Sequence, residues 1–249
     1  MKRAVVLGGG IQGVCAALAL AQENYRVTLV DRASRALDRA SLRNEGKIHL
    51  GFVYANDPSM RTSLLMLRSA LEFAALVEGF VGRKIDWPKF KSHRFVYFVV
   101  HDSLLDRWRI GEHYESIQAR YRDLIAQDSS YSYLNERPDR LFSFDLPQAV
   151  AAISRRYAEP LVQTVEIAID LAAFCGLLRA VVAAHAQIDC RFGIEVKVVE
   201  ATACGGWKAV GVVGADRSPW QAAGDVVVNC LWDGRLQVDR SVDLVPDRP

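Results

Sequence analysis

The 249-residue sequence predicts an α/β protein with a parallel sheet, a small β-meander and a partial α+β layer. Three observations carry this. The apolar run Ala4 to Leu7 meets Gly8-Gly9-Gly10-Ile11-Gln12-Gly13, a small-residue helical pattern from Val14 to Ala21, and a second apolar run from Arg26 to Val30. Helix-period and strand-period stretches then alternate through the middle of the chain. From Ile188 onward, short runs of high β-propensity are separated by Gly193 and Gly205-Gly206, and Asp225 to Asn229 reads as a last buried strand.

Within the opening unit, Gly8, Gly10 and Gly13 have the G-x-G-x-x-G spacing, and Asp31 follows Gly13 by 18 residues. Gly8 permits the tight turn out of the strand, Gly10 lets a pyrophosphate approach the backbone, and Gly13 lets the helix pack close to the sheet. The helix start offers free N–H groups and the positive end of its dipole. Asp31 is placed to accept hydrogen bonds from an adenosine ribose. Strand, turn, helix, strand and acid together predict a Rossmann-like domain for FAD or NAD(P), and the acid argues against a 2′-phosphate.

Composition narrows the classes. The net charge is +2 and no basic block tracks nucleic acid. Arg35, Arg39 and Arg43 recur at fourfold spacing and fit a solvated or phosphate-facing loop. The five cysteines are scattered, without C-x-x-C, as expected of a reducing, cytoplasmic compartment and no zinc site. Three consecutive glycines argue against a signal peptide, and no apolar window is long enough for a transmembrane segment.

In chain order, residues 32–58 read as a long functional loop. Residues 60–78 read as an amphipathic helix with Leu64, Leu67, Leu71 and Ala74 or Ala75 on one face, ended by Gly79 and Gly82. Arg94 to Val100 reads as a strand. Ser103 is a candidate N-cap, with a helix running through Glu112 to Ala126 and a stripe of Tyr114, Ile117, Tyr121 and Leu124. Residues 128–148 read as loop, Leu171 to His185 as a helix, Ile188 to Phe192, Ile194 to Glu200 and Trp207 to Val213 as the meander, and the stretch after Gly234 as a polar tail.

The residues resemble the D-amino-acid oxidase-like FAD-dependent oxidoreductases, of the glutathione-reductase fold type. Three places carry the likeness: Gly8 to Asp31; Arg43-Asn44-x-Gly46-x-Ile48-His49-x-Gly51 with Tyr54; and Gly193-Ile194-Glu195-Val196 followed by the Asp225 to Asn229 strand. The second is similar to the flavin loop of the branch holding L-2-hydroxyglutarate oxidase and glycerol-3-phosphate dehydrogenases. The resemblance implies FAD as cofactor. Gly8, Gly10, Ile11, Gln12 and Gly13 would hold the pyrophosphate, Asp31 the ribose, and Arg32 would sit beside the adenine end. Arg43 and Asn44 would approach the pyrophosphate and ribityl chain. Gly46, Lys47, Ile48 and His49 would run past the isoalloxazine ring, and Val196 would meet adenine through its backbone. Small residues and free backbone donors in the 43–51 loop suit a chain passing a flat polar cofactor. His49 has two readings: a flavin-linked or ring-facing histidine, or, preferred, one whose nitrogens satisfy loop carbonyls. His93, His101, His113 and His185 show no metal spacing.

The family follows its late strand with Ala-Ala-Gly, whereas this chain has Cys230-Leu231-Trp232-Asp233-Gly234. The family also continues beyond the length seen here, so the chain resembles its N-terminal portion. The expected organisation is an FAD-binding domain of residues 1–86 and 161–249 around a partial substrate domain of residues 87–160. The expected function is hydride transfer from a C–H next to an amine or hydroxyl, of the amino acid or 2-hydroxy acid class, to flavin N5. The partners expected are a small-molecule substrate and, to complete the site, a partner chain supplying the missing C-terminal part. The competing expectations are a non-catalytic dinucleotide-binding protein, half of a split enzyme, or an NAD-dependent dehydrogenase. The flavin-type loop weakens the last of these. No catalytic residue stands out.

Overall fold

The computed structural model describes residues 1–144, 158–214 and 216–244. Strand β1 (Arg3–Leu7) leads into helix α1 (Ile11–Gln22) and strand β2 (Arg26–Asp31). Ala4, Val5, Val6 and Leu7 are all buried, which is why β1 reads as an unbroken apolar run rather than an alternating one. In α1 the buried residues are Gly13, Val14, Ala17, Leu18 and Ala21, small enough for the helix to lie close on the sheet.

Two later strands complete this sheet, β6 (Ile188–Phe192) and β10 (Val226–Asn229). The order is β10-β1-β2-β6, and every pair is parallel. The chain steps from β1 to β2 on one side and returns to the other side of β1 only with β10. The order therefore reverses at β1, and the crevice beyond its carboxyl end is where open α/β sheets of this Rossmann-like kind take ligands. Membership of β6 corrects the expected meander: Ile188 to Phe192 pairs with Val27 to Asp31 instead. The actual meander is β7 (Ile194–Ala201), β8 (Trp207–Val213) and β9 (Ser218–Gly224), all antiparallel. Pro219 is tolerated because β9 is an edge strand. Strand β10 is half-buried rather than fully buried.

Helix α4 (Leu171–Ala184) buries Phe174, Cys175, Leu178 and Val182. The expected polar tail instead contains the short helix α5 (Arg235–Arg240), which delivers Val238 into a core of Val5, Leu7, Val30, Ile194, Val199 and Ala209. Residues 245–249 lie outside the described residues, as do residues 145–148 of the expected loop.

The chain divides into two compact units, Met1–Asn44 with Leu171–Pro249, and Glu45–Asp170. This differs from breaks at 86/87 and 160/161 for a physical reason. The segment after Asn44 is tied by backbone hydrogen bonds to the one before Leu171: Ile169 N–H donates to Gly46 O at 2.9 Å, and Ile48 N–H to Ile167 O at 3.1 Å.

The second unit holds α2 (Arg61–Val81), β3 (Val96–Val100), α3 (Arg107–Gln127), β4 (Phe142–Ser143) and β5 (Ala158–Thr164). The strands form an antiparallel sheet in the order β3-β5-β4. Helix α2 buries Leu67, Leu71, Ala74 and Val77, while Ala75 is exposed. It runs through Gly79 and stops only at Gly82, whose left-handed φ of 71° suits a glycine C-cap. In α3 the predicted stripe of Tyr114, Ile117, Tyr121 and Leu124 is buried. Its cap is Asp106 rather than Ser103: the Asp106 carboxylate accepts from the N–H groups of Trp108 and Arg109, each at 2.9 Å.

Candidate dinucleotide cleft

In the first unit a cleft of about 590 Å³ opens at the carboxyl end of β1. Its walls are the Gly8 to Gln12 turn, Asp31 and Arg32 at the end of β2, the 35–44 loop, and Cys230 to Asp233 after β10. Gly8 has φ +99°, and a Cβ there would stand 2.6 Å from Cys230 O. Gly10 has an ordinary φ of −71°, and its Cβ would meet only Ser41 Oγ, at 3.5 Å. Gly10 is thus bare toward the cleft rather than toward the core, as a backbone cradle for a phosphate requires. Gly13 does not line the cleft. Its Cβ would lie 1.7 Å from Gly8 O, so its role is to let α1 sit on the turn.

Part of the helix start is already engaged. Ile11 N–H donates to Ser41 Oγ at 2.9 Å, a capping contact from 30 residues away. Asp31 is engaged too: Oδ2 accepts from Gly9 N–H at 2.6 Å and Oδ1 from Ala33 N–H at 2.7 Å. A carboxylate has about four acceptor directions, so lone pairs remain for a ribose. The Asn44 amide donates to Ala40 O and Ser41 O at 2.9 and 3.2 Å, holding the loop on which Arg43 sits. Arg179 of α4 anchors the same loop through Ala36 O and Leu37 O, at 2.7 and 2.8 Å.

Four arginines (32, 35, 39 and 43) and three carboxylates (Asp31, Asp38 and Asp233) line the cleft. Arg35 is paired with Asp38 at 2.6 Å, and that hydrogen bond holds the Asp38 carboxyl below its usual range. Arg32 is hydrogen-bonded to Asp233, whose carboxyl it likewise holds down. Burial pushes the Cys230 thiol up, so it stays protonated at neutral pH. Trp232 is 90% exposed. Sequence reasoning missed Ser41 and Asp233, because neither carries a local signal: both act through contacts formed only in the fold.

Of the expected site residues, Gly8, Gly10, Ile11, Gln12, Asp31, Arg32, Arg43 and Asn44 come together in this cleft. Val196 lies in β7, packed against the Val5 to Val238 core, and does not line it. Gly46, Lys47, Ile48 and His49 belong to the second unit. There Lys47 pairs with Glu45 at 2.8 Å and lies 5.2 Å from the Phe95 ring centroid. The backbone donors expected to be free are partly used: Ile48 N–H goes to Ile167 O, and Leu50 N–H to Glu166 Oε1. Tyr133 braces the loop by donating to Ile48 O at 2.8 Å and accepting from Ile167 N–H at 3.1 Å.

The preferred reading of His49 is not what the fold contains. Its Nδ1 is buried without a hydrogen bond, 3.7 Å from Glu166 Oε2, and satisfies no loop carbonyl. Glu166 is fully buried and also accepts from the Tyr97 hydroxyl. Burial, then the Glu166 charge, pushes the Tyr97 phenol far up, so it remains a donor.

The fold agrees with the relatives found by comparison. Residues 3–246 match the FAD dependent oxidoreductase family (DAO), and the chain belongs to that family. FAD is the family's cofactor. A D-amino acid dehydrogenase from Vibrio vulnificus is 42% identical over 50 residues, covering 20% of this chain and 12% of that protein. Glycine oxidase from Geobacillus kaustophilus superposes with a TM-score of 0.64 at 14% identity, covering 97% of this chain and 59% of that one. Iminodiacetate oxidase from Chelativorans sp. BNC1 gives 0.62 at 18% identity, covering 96% and 57%. The chain thus spans somewhat over half the length of these structural relatives. No helix among the described residues is long and apolar enough to cross a membrane.

Proposed function

We propose that this chain holds FAD for the oxidation of a C–H bond next to an amine or hydroxyl, in a small amino acid or 2-hydroxy acid. The observation that carries the reading is the cleft at the β1 switch point, lined by a bare Gly10 backbone, the start of α1 and four arginines. In it, Gly10, Ile11 and Gln12 meet the diphosphate, Asp31 accepts from the ribose, Arg32 flanks the adenine end, and Arg43 and Asn44 lie along the pyrophosphate side. The roles of Gly46, Lys47, Ile48, His49 and Val196 rest on family resemblance alone. When bound, the flavin supplies the acceptor for the hydride, and the amine or hydroxyl proton leaves to solvent or a base. The chain's own contribution is to bind and orient. Relatives named for glycine, iminodiacetate and D-amino acid oxidation favour the amine side of the substrate class.

The test is an absorbance spectrum of the purified chain before and after acid precipitation, then anaerobic addition of small amino acids and 2-hydroxy acids. The expected result is a flavin band released by acid and bleached by one of these classes. A band that stays in the pellet would direct attention to His49 as an attachment point. A retained flavin that no substrate bleaches favours the non-catalytic reading. No flavin after added FAD overturns the cofactor assignment for this chain, and a split site completed by a partner chain then becomes the reading to test.

A further inference from the structure

We propose that Glu166 and His49 form a proton-accepting dyad in the second unit. The buried carboxylate fixes the ring in its Nδ1–H form and leaves Nε2 as the acceptor nitrogen. Glu166 is the positioning residue, and His49 is the group it positions. All the contacts involved lie within residues 45–170, so they hold with or without a cofactor.

Glu166 is fully buried. Different donors hold its two oxygens, Leu50 N–H on Oε1 and the Tyr97 hydroxyl on Oε2. His49 Nδ1 lies 3.7 Å from Oε2, is itself buried and has no hydrogen-bond partner. A neutral imidazole carries one N–H, and the group facing each nitrogen decides which one bears it. With Nδ1 bare, its lone pair would face a carboxylate oxygen where water has little access. With the hydrogen on Nδ1, the same approach is attractive, and the low dielectric of a buried site strengthens it. About 0.5 Å of movement brings the pair to the long end of an N–H···O hydrogen bond. The side chain as a whole is 22% exposed although Nδ1 is not, so the surface it shows lies away from Glu166. With the ring's one hydrogen turned inward, the remaining nitrogen can only accept. Its ligand is therefore a proton donor, an ammonium or a hydroxyl, rather than a carbonyl or an anion.

The experiment records long-range proton–nitrogen NMR spectra of the full chain with isotope-labelled histidine. The pH is about 8, above the usual histidine value of about 6.5. His49→Gln assigns the His49 signals by their loss. Wild type is expected to show Nδ1 protonated and Nε2 bare. Glu166→Gln is expected to invert this. Leu50 N–H keeps the glutamine carbonyl oxygen at the Oε1 position, which turns the amide NH2 toward His49 and favours a bare Nδ1. Tyr97→Phe removes the competing donor on Oε2 and is expected to keep the wild-type form. A thermal melt of each variant shows that it is folded. If Glu166→Gln does not fold, wild type and Tyr97→Phe decide the matter. A wild-type ring with Nε2 protonated, whether neutral or cationic, overturns the proposal. A folded Glu166→Gln that keeps the wild-type form, or a Tyr97→Phe that inverts it, overturns the role of Glu166. Each outcome is read on the chain without flavin, so none depends on the cofactor assignment.

Discussion

The backbone N–H of Gly9 donates to Asp31 Oδ2 at 2.6 Å. The acid at the end of β2 thus holds the glycine turn at the end of β1, and it fixes its own loop through Ala33 N–H. A ribose ligand alone would not require this. Asp31→Ala should lower the unfolding free energy by about 1–3 kcal/mol, because part-buried N–H groups lose their acceptor. It should also weaken ADP binding. Urea unfolding and calorimetry on the same sample measure the two effects. Unchanged stability would mean the carboxylate serves the ligand only.

Gly13 and Gly10 belong to one motif but predict different failures. At Gly13 an added Cβ would stand 1.7 Å from the Gly8 carbonyl, which cannot yield without moving α1 off the turn. Gly13→Ala should therefore lower the melting temperature sharply or prevent folding. At Gly10 the nearest atom is Ser41 Oγ at 3.5 Å, an ordinary contact, and the backbone φ of −71° suits alanine. Gly10→Ala should keep the wild-type melting temperature and lose affinity for ADP, since its methyl group occupies phosphate space. If the two variants behaved alike in both assays, the division between packing and binding glycines would fail.

The same contrast explains what the sequence made legible. The β1-turn-α1-β2 unit is local, and each of its residues does its work within about 30 positions, the span of a βαβ unit. The pairing of β6 with β2 joins Ile188 to Val27 across the chain, and alternation in Ile-Asp-Cys-Arg-Phe suits a meander strand equally well. Strand β9 was hidden because Ser-Pro-Trp-Gln-Ala-Ala-Gly has turn chemistry and takes its register from β8. The cleft divides along the same line. Its glycines and Asp31 announce themselves, whereas Ser41 and Asp233 enter by contacts across 30 and 201 positions. Glu166 likewise gains meaning only from the Leu50 N–H and Tyr97 hydroxyl that close around it.

A pH dependence follows from His113 in α3. The residue is 7% exposed, with Nε2 3.2 Å from Gly51 O and Nδ1 3.1 Å from Met60 Sδ. The carbonyl can only accept, so Nε2 carries the proton of the neutral ring. Burial lowers its pKa, outweighing the opposing effects of the Gly51 carbonyl and the Asp57 charge. A histidine depressed in the folded state binds fewer protons there than in the unfolded chain. Stability should therefore be constant above the unfolded value of about 6.5 and fall as pH drops below it. Melting temperatures at pH 7.5, 6.5 and 5.5 should decline for wild type and stay nearly level for His113→Gln. Parallel declines would assign the acid sensitivity to another group.

The last prediction concerns a carboxylate that builds the second unit rather than binding anything. Glu78 near the end of α2 is 6% exposed. It accepts from Ile85 N–H and Trp87 Nε1 at 3.1 Å each, from Asn135 Nδ2 at 2.7 Å and from Lys84 Nζ at 2.8 Å. Burial alone would raise its pKa, but these donors outweigh it and hold the carboxyl below its usual range. Its contribution is therefore present above the unfolded value of about 4.3 and is lost as pH falls through the lower folded value. Glu78→Ala removes the carboxylate that the Ile85 N–H and the Trp87 indole N–H donate to, and a buried donor that loses its acceptor costs about 1–3 kcal/mol. The expected loss is about 2–4 kcal/mol in urea unfolding followed by tryptophan fluorescence. Glu78→Gln should lose less, because its carbonyl oxygen still accepts while its amide faces donors. A loss under about 0.5 kcal/mol for the alanine variant, the scale of a surface change, would show that water replaces the carboxylate and that the cluster is not what fixes residues 84–87 on the end of α2.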